Sequence, residues 1–245
     1  MARPRTGRAS VAEGSVGRRW GRLILVAGAV ALALASPVLI RRYVVEAFKV
    51  PAASMAPTIL PGDHLFVSKL GLGREPPRRG EVIVFRWPPD PSRDFVKRVV
   101  AVAGDKVALR GGDLVVSGRP VPRRPVDGAC DLRELEGAGG GPCRREIETL
   151  DSGEHELLRQ PGEEARDFPQ PGVDCPAGTG GVPGGDGCVV APGHVFVLGD
   201  NREASFDSRF WGAVPIGEIK GRVSMVWFSS GPAGLRRERI GRPVR

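Results

Sequence analysis

A mainly β protein behind a single N-terminal transmembrane helix is the fold class this sequence predicts. Three observations carry that reading. Leu23–Ile40 reads LILVAGAVALALASPVLI, 18 residues without a charge, and about 17–25 apolar residues cross a bilayer. Past residue 50, short runs rich in Val, Ile and Phe are punctuated by Gly, Pro and Asp, with no long 3.6-residue periodicity; this is strand-and-turn patterning. Cys130, Cys143, Cys175 and Cys188 contain no CxxC pair, which fits disulfide staples in an oxidising compartment and not zinc-finger spacing.

Residues 1–22 form a basic tail with six arginines and one glutamate, followed by the anchor over 23–41. Arginines before the span put the N-terminus in the cytoplasm and the body outside. A cleaved signal peptide is the rival, because Ala33-Leu34-Ala35 resembles a small-x-small cleavage site. The apolar run continues through Pro37–Ile40 and favours retention. Either reading exports the body.

The body opens with residues 42–118. Expected strands are Tyr43–Val50, His64–Val67, Glu81–Arg86, Phe95–Ala101, Lys106–Leu109 and Leu114–Val116. Residues 119–189, rich in Gly and Pro and holding all four cysteines, read as an insertion of loops, with room for a few short strands and without chemistry. Cys130–Cys143 and Cys175–Cys188 each enclose 12 residues. Sequential pairing fits that spacing, and the nested pairing, Cys130–Cys188 with Cys143–Cys175, stays open. Residues 190–235 resume the body, with strands at His194–Leu198 and Gly221–Phe228 after one at Cys188–Val190, and 236–245 form a second basic tail. The tails carry +5 and +4 of the formal +8, leaving the rest at −1. A nucleic-acid reader would carry its basic stripe on the body; basic tails beside a span fit topology and anionic lipid.

One serine stands out, Ser54 in VPAASMAPTILPGD, Val50–Asp63. An unassisted hydroxyl is a poor nucleophile and needs a base. His64 follows too closely in sequence, His155 lies in the insertion and His194 opens an apolar strand, so each reads as structural or exposed. Lys97 lies in Asp94-Phe95-Val96-Lys97-Arg98-Val99-Val100 and shares a strand face with Phe95, Val99 and Ala101. A lysine on an apolar face snorkels, pairs, or loses its charge; only the last makes it a base at neutral pH. Leu198–Arg209, LGDNREASFDSR, is a strand running into a polar turn. It is either a hydrogen-bonded surface loop or an active-site wall in which Ser205 orients the base.

These stretches resemble the type I signal peptidases, the membrane-bound Ser/Lys leader peptidases of bacteria. Ser54-Met55-Ala56-Pro57-Thr58 is similar to the family's nucleophile box, and Arg79-Gly80-Glu81-Val82-Ile83-Val84-Phe85 to its RGD-led strand. Lys97-Arg98 through Gly104-Asp105 is similar to its general-base box, and Gly199-Asp200-Asn201-Arg202 through Ser208-Arg209 to its GDN box. The resemblance implies an all-β catalytic core on the outer face of the cytoplasmic membrane, with no metal or cofactor. It implies Ser54 as nucleophile, Lys97 as general base and Ser205 as the hydroxyl that bonds the lysine amine. Arg98 with Asp200, and Asp207 with Arg209, would brace the site. The implied substrates are exported preproteins with small side chains at the first and third positions before the cut. Phe48, Val50, Met55, Ile59, Leu65, Val84, Phe95 and Val96 would line the pockets for them.

The chain departs from the family pattern at several positions. Ala52 stands where the family often has Ser or Thr donating to the oxyanion hole. Glu81 replaces Asp, Ala101 and Ala103 replace Gly and Pro, and Glu203, Ala204 and Phe206 vary the GDN box. Ala52 motivates an alternative of another class, a catalytically impaired paralogue acting as a membrane-anchored binding or assembly protein. A self-cleaving Ser/Lys repressor is disfavoured by the span, the cysteines and the lack of a DNA-binding domain.

Overall fold

The strands pair antiparallel into three sheets, and those expected from the sequence lie in two of them. The computed structural model describes residues 25–30, 32–36, 45–71, 75–132, 141–160, 167–170, 172–182 and 187–244. Residues 25–30 and 32–36 are helical. No helix among the described residues is long and apolar enough to cross a membrane. The expected anchor over 23–41 falls partly outside them, and the basic tail over 1–22 wholly so.

The largest sheet runs in the order β1 (Val45–Lys49), β2 (Asp63–Ser68), β15 (Ile219–Gly231), β3 (Val82–Trp87), β4 (Asp90–Val102), β13 (His194–Leu198) and β14 (Val214–Pro215), with β16 (Gly234–Leu235) on β15. β3 explains the sheet's position. Its run Val82-Ile83-Val84-Phe85 is buried on both faces, so alternate residues enter different cores. Val82 and Val84 pack with Met55, Ile59, Leu65 and Val226. Ile83 and Phe85 pack with Val99, Val197 and Trp211. A strand covered on both sides loses the apolar–polar alternation, which is why the sequence is continuously apolar there.

A second sheet has the order β11 (Thr179–Gly181), β12 (Cys188–Val190), β5 (Lys106–Arg110), β6 (Asp113–Val116) and β7 (Arg119–Pro120). Its core joins Val107, Leu109 and Val190 to Phe196 and Leu198 of β13. The third sheet is β10 (Gly153–Arg159), β9 (Arg144–Leu150) and β8 (Arg123–Val126). It lies wholly inside the stretch expected to be loops with room for a few short strands, and it is a larger sheet than that reading held. Ion pairs across its face, Arg123 with Glu146 and Arg145 with Glu156, hid the strand pattern behind charge.

The cysteines pair sequentially, Cys130–Cys143 and Cys175–Cys188. Cys130 and Cys143 pack with Ala53, Ala56, Leu132 and Leu158, so the first disulfide sits behind the residues that flank Ser54. The stretch expected as a basic C-terminal tail is also built in. Val226 N donates to Arg242 O (2.9 Å), and Val244 N donates to Ser224 O (3.0 Å). Arg239 is buried and pairs with Asp63 at 2.6 Å.

Candidate active site

Ser54 belongs to the loop between β1 and β2. Val50 N donates to Asp63 O and Gly62 N to Val50 O, each at 2.9 Å, which closes the loop at its base. Gly62 has φ +86°, and a Cβ there would lie 1.9 Å from Ser230 O, so only glycine fits. Met55 and Ile59, fully buried, anchor the loop in the core and leave Ser54 half-buried at its edge.

Lys97 comes from β4, and its Nζ donates to Ser54 Oγ at 2.6 Å. The lysine is 4% exposed, so burial is the outcome the fold realises; Phe95 and Val99 share one cluster as expected, but a register shift against β13 puts Ala101 in another. Burial pushes its pKa from 10.5 down to about 8, with Asp207 and Asp200 pulling upward and Arg209 downward. A lysine so poised is part neutral near physiological pH and can accept a proton.

The turn after β13 encloses the pair. Gly199 is required by proximity: a Cβ would fall 2.3 Å from Ser205 Oγ and 2.4 Å from Ser54 O. Asn201 N donates to Ser54 O at 3.1 Å. Arg98 grips Asp200 with both arms, Nε to Oδ1 at 2.8 Å and Nη2 to Oδ2 at 2.7 Å, and both side chains are 1% exposed. Burial alone would raise the Asp200 carboxyl, but Arg98 holds it below its ordinary value. Asp207 is likewise desolvated yet kept low by Arg209, whose Nε donates to Asp207 Oδ1 at 2.8 Å. The expected Ser205–Lys97 hydrogen bond is not formed. Ser205 Oγ is buried without a hydrogen-bond partner among the described residues, close enough to Asp207 to favour its charge.

A cleft of about 410 Å³ opens on the dyad, lined by Val50, Pro51, Ala52, Ser54, Arg93–Lys97, Ala204 and Phe206. It coincides with a gap in the sheet. β4 pairs β3 from Asp90 to Arg98, but pairs β13 only from Arg98 to Val102. The second edge of Asp94–Lys97 therefore meets no strand among the described residues. Of the eight expected pocket residues, Val50, Phe95 and Val96 line this cleft. Met55, Ile59, Leu65 and Val84 are buried behind Val50 and Val96 in one cluster, with Phe48 at its margin.

A family model described as signal peptidase, peptidase S26, matches residues 18–228. The chain belongs to this family. The signal peptidase I of Aquifex aeolicus is 33% identical over 205 residues, covering 78% of each chain. That of Pseudomonas aeruginosa is 33% identical over 213 residues, 78% of this chain and 67% of the relative. A solved signal peptidase I from Enterococcus faecalis is 20% identical, with a TM-score of 0.32 over 60% of this chain and 97% of the other.

Two features of this S26 peptidase-family chain escaped sequence reasoning. Glu148 and His155 are buried, although the insertion was expected to be peripheral. The signal was present in the alternation: Glu148 shares a strand face with buried Leu150, and His155 with buried Leu157. Neither reaches Ser54. His64 packs edge-on against Trp227 and Phe228, and His194 Nδ1 lies 3.0 Å from Pro192 O, as expected of structural histidines.

Proposed function

We propose that this chain is an active signal peptidase, a serine endopeptidase that removes signal peptides from exported preproteins after small-x-small sites. The observation that carries the reading is the 2.6 Å contact between Lys97 Nζ and Ser54 Oγ, made by a buried lysine at the floor of an open cleft.

Ser54 Oγ attacks the scissile carbonyl as Lys97 Nζ takes its proton. The tetrahedral oxyanion is met by the Ser54 backbone N–H, and Ala52 adds no hydroxyl to it. The intermediate collapses by breaking the peptide C–N bond, and Lys97 returns its proton to the leaving amine. Water, deprotonated by Lys97, then hydrolyses the acyl-enzyme. With a pKa of about 8, roughly a tenth of the lysine is neutral at pH 7. Arg98, Asp200, Asp207 and Arg209 hold the pair in register.

Substrate enters as a strand against the open edge of Asp94–Lys97, read through its backbone, while Val50, Phe95 and Val96 admit small side chains. Residues 23–41 anchor the chain in the cytoplasmic membrane, the N-terminus inside and the body outside. Lipid and preprotein are then its partners, and nucleic acid is not.

The test is complementation in a strain whose own leader peptidase can be depleted. Wild type should process a preprotein, and Ser54→Ala and Lys97→Ala should each lose about 10³-fold or more in rate. If both variants process as well as wild type, the mechanism fails.

A further inference from the structure

The insertion reaches the catalytic loop. Leu158 N donates to Asp200 O (2.8 Å) and Arg202 N donates to Leu158 O (3.1 Å), so β10 runs beside the loop as an added strand. Asn201, held between those bonds, donates to Ser54 O. Arg202 points back into the insertion. Its Nη2 donates to Glu148 Oε2 at 2.5 Å, and the two side chains are 2% and 1% exposed. His155 Nε2 lies 3.4 Å from the same carboxylate oxygen. On the other side, Arg202 O accepts from Arg209 Nη2 at 2.5 Å, and Arg209 holds Asp207.

We infer that Glu148 is a positioning residue for the Ser54–Lys97 pair, acting through Arg202. The inference rests on the proposed peptidase activity. Arg202 Nε and Nη1 are buried with no hydrogen-bond partner among the described residues. A cation so placed is held there by the opposing carboxylate, since an uncompensated buried charge is strongly unfavourable. Without the Glu148 charge, Arg202 turns toward water and carries the Asp200–Arg202 backbone with it. Ser54 O then loses its donor, and Arg209 loses the shorter of its two carbonyl contacts, keeping only the 3.3 Å one to Ser205 O. Asp207, Asp200, Arg209 and Ser54 face Lys97, and desolvation is the strongest influence on its amine. Loosening this wall admits water and moves the amine back toward ordinary basicity.

The experiment is cleavage of a preprotein with an Ala-x-Ala site by the detergent-solubilised full chain, read as kcat and KM from about pH 6 to about pH 11. Glu148→Gln should lower kcat about tenfold or more with KM within about threefold, and shift the acid limb to higher pH. Arg202→Gln should match it, and the double variant should be no worse than either single. A folded Glu148→Gln with unchanged kcat and acid limb overturns the inference. So does a fall in kcat with the acid limb unmoved, which marks a merely structural role. If Glu148→Gln does not fold, Glu148→Asp, which keeps the charge and shortens its reach, is judged by the same readouts. A wild type that cleaves no preprotein fails the activity itself, and is thereby distinguished from failure of the Glu148 role.

Discussion

Lys97→Met tests the electrostatics of the site apart from its chemistry. The wild-type amine is 4% exposed, and burial takes its pKa from 10.5 to about 8. At about 1.4 kcal/mol per pH unit, the folded state carries a penalty of about 3 kcal/mol for the charged lysine. Between pH 8 and 10.5 the unfolded chain binds the extra proton and the folded chain does not. Stability therefore rises with pH across that window through this group, and its contribution is flat below about 8 and above about 10.5. Met keeps the length and apolar stem and removes the titration. Urea unfolding of both proteins at about pH 7 and about pH 11 should show wild type gaining about 3 kcal/mol on the variant at the higher pH. The variant should also be inactive at both. Parallel stability curves for the two proteins would refute the claim that burial lowers this lysine's proton affinity.

Three further outcomes follow. Ala52→Ser should raise kcat by about tenfold, since one oxyanion donor is worth on the order of 10²–10³ in rate at full geometry; single-turnover cleavage measures it, and an unchanged rate would mean that the hole is already complete. Gly199→Ala should lower kcat about 10²-fold, because its methyl would lie 2.4 Å from Ser54 O and displace the nucleophile; a rate within twofold of wild type would contradict the crowding. Replacing Cys130 and Cys143 by Ala should cost about 3 kcal/mol of stability and reduce kcat, while the same change at Cys175 and Cys188 should leave kcat near wild type; thermal melts and initial rates separate the two.

The site was legible where chemistry and spacing coincide. Lys97 could be singled out because a charge on the face of Phe95, Val99 and Ala101 is anomalous, and Ser54 because the order of boxes around it matches a family. Chain reversal was not legible. No local pattern says that Arg239 returns to Asp63 across 176 positions, or that a stretch rich in Gly and Pro forms β8–β10. The Ser205 expectation shows another limit. A motif gives residue types at positions, whereas the hydroxyl's partner depends on a rotamer, and here Oγ is left without a hydrogen-bond partner among the described residues. Glu148 was hidden by composition, since a glutamate among charged residues reads as surface until its partner Arg202 is known.

The Asp63–Arg239 pair has a consequence in time. Asp63 also accepts from Leu60 N at 2.8 Å and Ser229 Oγ at 2.6 Å, and Arg239 Nη2 donates to Thr58 O at 2.9 Å. The loop carrying Ser54 is thus finished by residues synthesised long after it. At about 5–20 residues per second, roughly ten to forty seconds separate the making of Asp63 from that of Arg239. Through that interval Ser54 exists in the chain without its scaffold, and the loop that the proposed mechanism needs is unfinished.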